Sequence, residues 1–258
     1  MSEQAAITVK NLTMAYGSFV LQQGLNFQIN TGDIFVIMGG SGCGKSTLLR
    51  HMIGLHQPAE GQILYGDTDF WQLDEDQRAT ILHQTGILYQ SGALWSSMTL
   101  AENIALPLHQ FSHHKPPLIN EIVSFKLSLV GLAGFESYYP AQLSGGMRKR
   151  AALARAIALD PEFLFFDEPS AGLDPISAKN LDELIVEIRD SLGATVIMVT
   201  HELASIFAVG TNSVFLDSES RTMLATGNPN DLLQQCENEV VIDFLTRGTG
   251  KRELKRCE

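Results

Sequence analysis

The sequence predicts an α/β fold, a mixed sheet flanked by helices with a helical subdomain set into it. Three observations carry that prediction. Short apolar runs recur at "DIFVIM" (33–38), "FLFF" (163–166) and "ATVIMVT" (194–200), the pattern of strands covered on both faces. The run "ISAKNLDELIVEIRDSL" (176–192), between the last two, is amphipathic at helical spacing. Residues 91–158 read mostly as helix.

The elements follow in order. "AITVKNLTMAYG" (6–17) alternates and predicts strand. "DIFVIM" is a buried strand, broken by residues 39–44, after which "KSTLLRHMIGL" (45–55) continues as a helix. "EGQILYG" (60–66) is a strand between glycine turns. The helical stretch carries a loop at "HQFSHHKPP" (109–117), which leaves His113 and His114 exposed. "NSVFLDS" and "RTMLATG" predict a hairpin, and "NPNDLLQQCENEVVIDFLTRG" one or two helices. The division expected is a core of residues 1–90 and 159–227, a helical subdomain at 91–158, and a C-terminal extension and tail at 228–258.

Composition narrows the function. The 258 residues are 45% hydrophobic and 18% charged, enough for a sizeable core. A net charge of −11 argues against nucleic acid as partner, because phosphate backbones select Lys and Arg. The basic run "KRELKRCE" reads as a solvated tail. "MSEQAAITVK" has no signal-peptide pattern, and no apolar run reaches the length of a membrane-spanning helix. A cytosolic chain, or one held at a membrane through a partner, is expected. Cys43, Cys236 and Cys257 form neither a disulfide framework nor metal-ligand spacing.

"GGSGCGKS", Gly39 to Ser46, fits G-x-x-x-x-G-K-[ST] between a strand and a helix. Gly39, Gly40, Ser41, Gly42, Cys43 and Gly44 let successive amides turn inward as an anion nest. The helix through Lys45, Ser46 and Thr47 adds its positive end. In such a P-loop Lys45 reaches the β- and γ-phosphates of ATP, and the Ser46 hydroxyl ligates Mg²⁺. Cys43 is as readily a packed small residue as a reactive one.

"FLFFDEP" ends a buried strand on two carboxylates, at the end where open α/β sheets bind ligands. Asp167 is the expected Mg²⁺ residue and Glu168 the general base for an attacking water. His201 follows the next buried strand and is placed to touch the γ-phosphate.

"LSGGMRKR" (143–150) opens a helix with Ser144, Gly145 and Gly146, although each helical glycine costs about 1 kcal/mol relative to alanine. A hydroxyl and unobstructed amides at a helix start form a second anion site. One nucleotide already has its cradle, so two chains facing head to tail would each offer this helix start to the other's γ-phosphate. Asp174, in "AGLDP", is expected at that interface.

Together these residues resemble the ATPases of ABC transporters, over about residues 6–227 and with the motifs in the family's order. The resemblance implies that Tyr16 stacks on adenine and that Gln90 completes the Mg²⁺ shell. It also makes "LSGG" the family's signature, "FFDEP" its Walker B, "AGLDP" its D-loop and "VTH" its H-loop. Met147 departs from the family's usual Gln after LSGG. "LSGGMRKRAALARA" and "YQSGALWSSMTLAENIALPL" are similar to the subgroup serving Mla/MCE-type phospholipid transporters. That similarity implies an ATPase homodimer, an integral-membrane permease, an MCE-domain periplasmic protein and a STAS-domain cytosolic protein. It further implies a place at the cytoplasmic face of the bacterial inner membrane, in transport that maintains outer-membrane lipid asymmetry. Leu94, Trp95 and Met98 would line a cleft for a permease helix, or else pack in the core.

The alternatives are an ABC transporter of another substrate, a soluble ABC ATPase acting on ribosomes or DNA, and a P-loop GTPase or kinase. The single ATPase unit without sustained heptads disfavours the second. The absence of a guanine-specifying N-K-x-D string disfavours the third.

Overall fold

The computed structural model describes residues 5–249. Residues 1–4, the basic run from 251 and Cys257 lie outside the described residues. In chain order the elements are strands β1 (Ala5–Tyr16), β2 (Phe19–Asn30) and β3 (Ile34–Gly39), helix α1 (Lys45–Met52), strands β4 (Glu60–Tyr65) and β5 (Thr68–Asp69), helix α2 (Glu75–His83), strand β6 (Thr85–Leu88), helices α3 (Leu100–Phe111), α4 (Pro116–Leu129) and α5 (Gly145–Ala156), strand β7 (Phe163–Asp167), helix α6 (Pro175–Leu192), strand β8 (Thr195–Val199), helix α7 (Leu203–Val209), strands β9 (Asn212–Leu216) and β10 (Met223–Thr226), and helices α8 (Pro229–Gln235) and α9 (Glu239–Leu245). The chain forms two compact units, residues 5–72 with 199–249 and residues 73–198.

In the first unit an antiparallel sheet runs in the order β2-β1-β4-β5. Strand β2 is one of the elements that the hydropathy reading passes over, with β5, α2 and β6. Leu25, Phe27 and Ile29 are buried and alternate with exposed Asn26 and Gln28, but Gln22, Gln23 and Gly24 interrupt the pattern upstream. Its pairing with β1 is correspondingly irregular, with register shifts at Val9/Leu12 and Leu12/Met14. Strand β9 lies between β3, to which it is parallel, and β10, to which it is antiparallel, so the predicted hairpin forms. Every residue of β3 is buried, and Phe35 stacks on Phe27 with centroids 5.3 Å apart. Phe244 of α9 meets Phe215 of β9 edge-on at 5.2 Å, which docks the C-terminal helix on that strand.

In the second unit β7 lies between β8 and β6, with β6 and β7 parallel. Both β7 and β8 are buried along their whole length, as their apolar runs require. Helices α3, α4 and α5 pack on one another. Helix α2 starts at a capping box, Gln77 N–H donating to Asp74 at 2.8 Å, and α3 at another, Thr99 with Glu102. The loop expected over 109–117 is shorter. Helix α3 runs on to Phe111, and Pro116 and Pro117 occupy the first turn of α4, where proline's missing N–H costs nothing. His113 and His114 are exposed in the remaining turn. Helix α6 is capped by Asp174, buries Leu181, Ile185 and Ile188 on one face, and stops at Gly193.

Candidate nucleotide-binding and hydrolysis site

The phosphate loop belongs to the first unit. Strand β3 ends at Gly39, α1 begins at Lys45, and the residues between them turn on left-handed glycines. Gly39 has φ 144°, and a Cβ there would run into the main-chain carbonyl of Leu216 on β9 and come within 2.9 Å of Cys43 Sγ. Lys45 Nζ donates to the Gly39 carbonyl at 2.9 Å and the Gly40 carbonyl at 2.8 Å, so the ammonium lies over the start of its own loop. Gly40, Ser41 and Gly42 are exposed, while Ser46 and Thr47 are half-buried.

Cys43 points inward and is fully buried. Burial pushes its thiol up, with Lys45 opposing, which is the packed reading and not the reactive one. Beneath it, the buried amide of Gln22 donates to the Cys43 carbonyl at 2.8 Å and the Asp217 carbonyl at 2.7 Å, tying the loop to the end of β9. Tyr16 is 52% exposed at the end of β1 and meets His56 edge-on at 6.3 Å. His201 is exposed just past β8, with Nε2 3.7 Å from Glu202.

The carboxylates belong to the second unit. Strand β7 delivers Asp167, 9% exposed, and the chain then turns through Glu168 in the left-handed region at φ 51°. A non-glycine residue held there stores of order 1–3 kcal/mol of strain and marks candidate functional sites. The parallel register pairs Leu88 with Phe166, so Gln90 and Glu168 leave their strands at the same end and level. Lys149 joins them. Its ammonium, on a side chain 8% exposed, donates to the Gln90 carbonyl and, at 3.3 Å, to the Glu168 carbonyl. Burial pulls the Lys149 pKa down, and the Glu168 and Asp167 carboxylates oppose that pull.

The segment after Gln90 is held from two sides. Arg155 of α5 donates to the Ala93 carbonyl at 2.7 Å and the Gly92 carbonyl at 3.2 Å. Asn103 of α3, fully buried, accepts from Trp95 N–H at 2.8 Å and donates to the carbonyls of Trp95, Met98 and Thr99. Trp95 itself is 58% exposed, so core packing does not account for it. A cavity of about 460 Å³ lies elsewhere in this unit, lined by Leu82, Ile87, Leu106, Phe111, Arg155 and Leu159 among others. Leu94, Trp95 and Met98 are not among its lining residues.

Ser144 caps α5, accepting from Met147 N–H at 3.3 Å. Gly145 and Gly146 lack positive φ, and a Cβ on either would meet nothing closer than 3.8 Å. The chain's own packing therefore leaves the two glycines at this exposed helix start unexplained. Asp174 caps α6 through Ile176 N–H at 3.1 Å and Ser177 N–H at 3.0 Å. Ile176, two residues on, is 74% exposed.

The family described as ABC transporter matches residues 22–171, across both the phosphate loop and the carboxylates. This chain belongs to the ABC transporter ATP-binding family. It is 39% identical over 92% of its length to the intermembrane phospholipid transport system ATP-binding protein MlaF of Haemophilus influenzae, and it covers 89% of that protein. It is 40% identical over 93% of its length to the probable ribonucleotide transport ATP-binding protein mkl of Mycobacterium leprae, covering 68% of it. Among solved structures, the dimeric bacterial ABC transporter cassette MJ0796 superposes with TM-score 0.78 at 28% identity, over 86% of this chain and 98% of that one. The cassette cbiO1 of Clostridium perfringens, part of the cbiONQ complex, gives TM-score 0.83 at 25% identity, over 96% of this chain and 98% of that one.

The cassette is thus an ATP-hydrolysing, nucleotide-binding subunit of the ABC type. Among the described residues no helix is long and apolar enough to cross a membrane. Sequence reasoning missed four residues of the site's surroundings, Gln22, Asn103, Lys149 and Arg155. For Lys149 a signal existed. It shares a helical face with Ala152 and Leu153, both fully buried, so the middle residue of "RKR" faces inward.

Proposed function

We propose that the cassette drives phospholipid transport as the ATPase of an MCE-type system at the cytoplasmic face of the bacterial inner membrane. One observation carries the substrate class: the similarity to the Haemophilus influenzae phospholipid-transport protein runs nearly end to end in both chains. The similarity to mkl favours a second reading, an ABC transporter of another cargo. It is 40% against 39% in identity but covers 68% of its relative against 89%.

In this reading Tyr16 stacks on adenine, and the loop from Gly39 to Thr47 takes the phosphates with Lys45 on the β- and γ-groups. Ser46, Gln90 and Asp167 hold Mg²⁺. The described residues contain no group of three or more His, Cys, Asp or Glu side chains arranged for a metal, and Mg²⁺ needs none, since one or two carboxylates with phosphate and water satisfy it. A hydroxyl, an amide carbonyl and one mostly buried carboxylate suit that ion. Bound there, Mg²⁺ neutralises charge on the β- and γ-phosphates. Glu168 takes a proton from the attacking water, and His201 contacts the γ-phosphate.

Two copies face each other, each offering Ser144, Gly145 and Gly146 to the partner's γ-phosphate, with Asp174 at the interface. The glycines that the chain's own packing does not require, and the exposed Ile176 beside Asp174, support this arrangement. In this reading residues 91–158 form the helical subdomain that carries the signature, in a core of residues 1–90 and 159–227. The mostly apolar cavity of the second unit receives a permease helix, and an MCE-domain and a STAS-domain protein complete the machine.

The test is a pull-down of the Glu168→Gln chain from native membranes with ATP, followed by mass spectrometry. Co-purified permease, MCE protein and phospholipid are the expected result. Another permease without phospholipid sinks the substrate assignment and leaves the ATPase chemistry standing.

A further inference from the structure

Lys149 is a buried cation that no step above uses. Its ammonium has three N–H donors, and its two acceptors are neutral main-chain carbonyls, Gln90 on one strand end and Glu168 on the other. Burying a charge is costly unless it is paired and hydrogen-bonded, and here the Glu168 and Asp167 carboxylates attract the ammonium while its hydrogen bonds go to the two strand ends. Both partners need securing. Glu168 sits in the left-handed region at φ 51°, and the segment after Gln90 passes through a second left-handed non-glycine, Ala93 at φ 49°. Helix α5 grips that segment twice, through Lys149 at Gln90 and through Arg155 at Gly92 and Ala93. Lys149 extends the same grip to Glu168. The residue also lies three positions after Gly146, on the helix whose start carries Ser144.

The geometry points to Lys149 as a positioning residue for ATP hydrolysis, one that fixes the strained main chain of Glu168 to the Gln90 segment and to α5. This rests on the reading of Glu168 as general base. In it, the Glu168 carboxylate is aimed only while Gln90 and α5 are both seated. Displacing either one releases the Glu168 main chain and slows the chemical step without removing any group that binds ATP.

The experiment is steady-state ATP hydrolysis by the full chain in the complex purified from membranes, for Lys149→Met, Lys149→Gln and Glu168→Gln, with melting curves for each. Lys149→Met is expected to lower kcat about 10- to 100-fold, the loss fitting hydrogen bonds from a charged donor, with KM for ATP within about threefold. Lys149→Gln, which can still donate to carbonyls, is expected to recover part of that loss. Wild-type kcat in Lys149→Met overturns the proposal. So does a loss in which KM and the melting point move with kcat, because that is the pattern of a purely structural lysine. If Lys149→Met does not fold, Lys149→Gln decides alone, and unchanged kcat in it counts against positioning. Turnover by Glu168→Gln at the wild-type rate is a separate result, and it removes the base reading beneath the proposal.

Discussion

In the proposed mechanism Glu168 is where the backbone and the chemistry make opposed demands, and replacing it with glycine or alanine separates them. Its φ of 51° costs an L-residue about 1–2 kcal/mol. Glycine escapes that cost, while at an ordinary position it is about 0.5–1 kcal/mol less stable than alanine. Both substitutions delete the same carboxylate. Both keep the main-chain carbonyl that Lys149 reaches at 3.3 Å, so those terms cancel in the comparison. What remains is a reversal of the usual order, Glu168→Gly more stable than Glu168→Ala by about 0.5–1 kcal/mol. At the size of this chain that separates their melting points by about 1–4 °C. Thermal unfolding by circular dichroism reads the difference, and ATP turnover should fall at least about 10²-fold in both. Alanine melting at or above glycine would refute the strain at Glu168. Turnover surviving in both would refute its role as base.

Gly39→Ala drives a Cβ into the Leu216 main chain at φ 144°, so a loss of about 2–4 kcal/mol and more than tenfold weaker ATP binding are expected, read by denaturant unfolding and titration with a fluorescent nucleotide. Ser144→Ala removes the cap on Met147 N–H and should cost about 1 kcal/mol, whereas Ser144→Thr should keep most of it; melting curves of the pair check this. The Asp174 carboxyl is held below the usual carboxylate range by hydrogen bonds from the Ser177 side chain and amide. A depressed folded pKa stabilises above the unfolded value and loses that effect as pH falls through the folded one. The stability gap between the wild type and Asp174→Asn should therefore be full near neutrality and close with acidification below the ordinary carboxylate range; a gap independent of pH contradicts the assignment.

The sequence made most of this fold legible because its buried strands are unbroken apolar runs. "FLFF" and "ATVIMVT" read as strands covered on both faces, and the structure buries every residue of both strands. Strand β2 escaped because its first half carries Gln22 and Gln23, one buried and one exposed, and hydropathy cannot tell a glutamine that bonds two carbonyls in the core from one in water. The same blindness hid Asn103 and left only helical spacing to mark Lys149. Asn103 holds main-chain groups of Trp95, Met98 and Thr99, and Lys149 holds the carbonyls of Gln90 and Glu168; main-chain groups have no sequence signature. The phosphate loop was read from its spacing, and the Asp167–Glu168 pair from its place at the end of a buried strand downstream of that loop. The left-handed turn at Glu168 was not, since nothing in the residue type announces it.

The Asn103 clamp has a consequence for recognition. Fixing a residue's backbone costs about 1–2 kcal/mol of conformational entropy, and a loop that orders only on contact pays this as lost affinity. Here the turn from Trp95 to Thr99 is already held by the buried amide, with an exposed indole mounted on it. A protein that docks on that indole meets a preorganised knob. Its association is then set by collision and orientation, not by loop folding, and its discrimination lies in how well a rigid ring is matched.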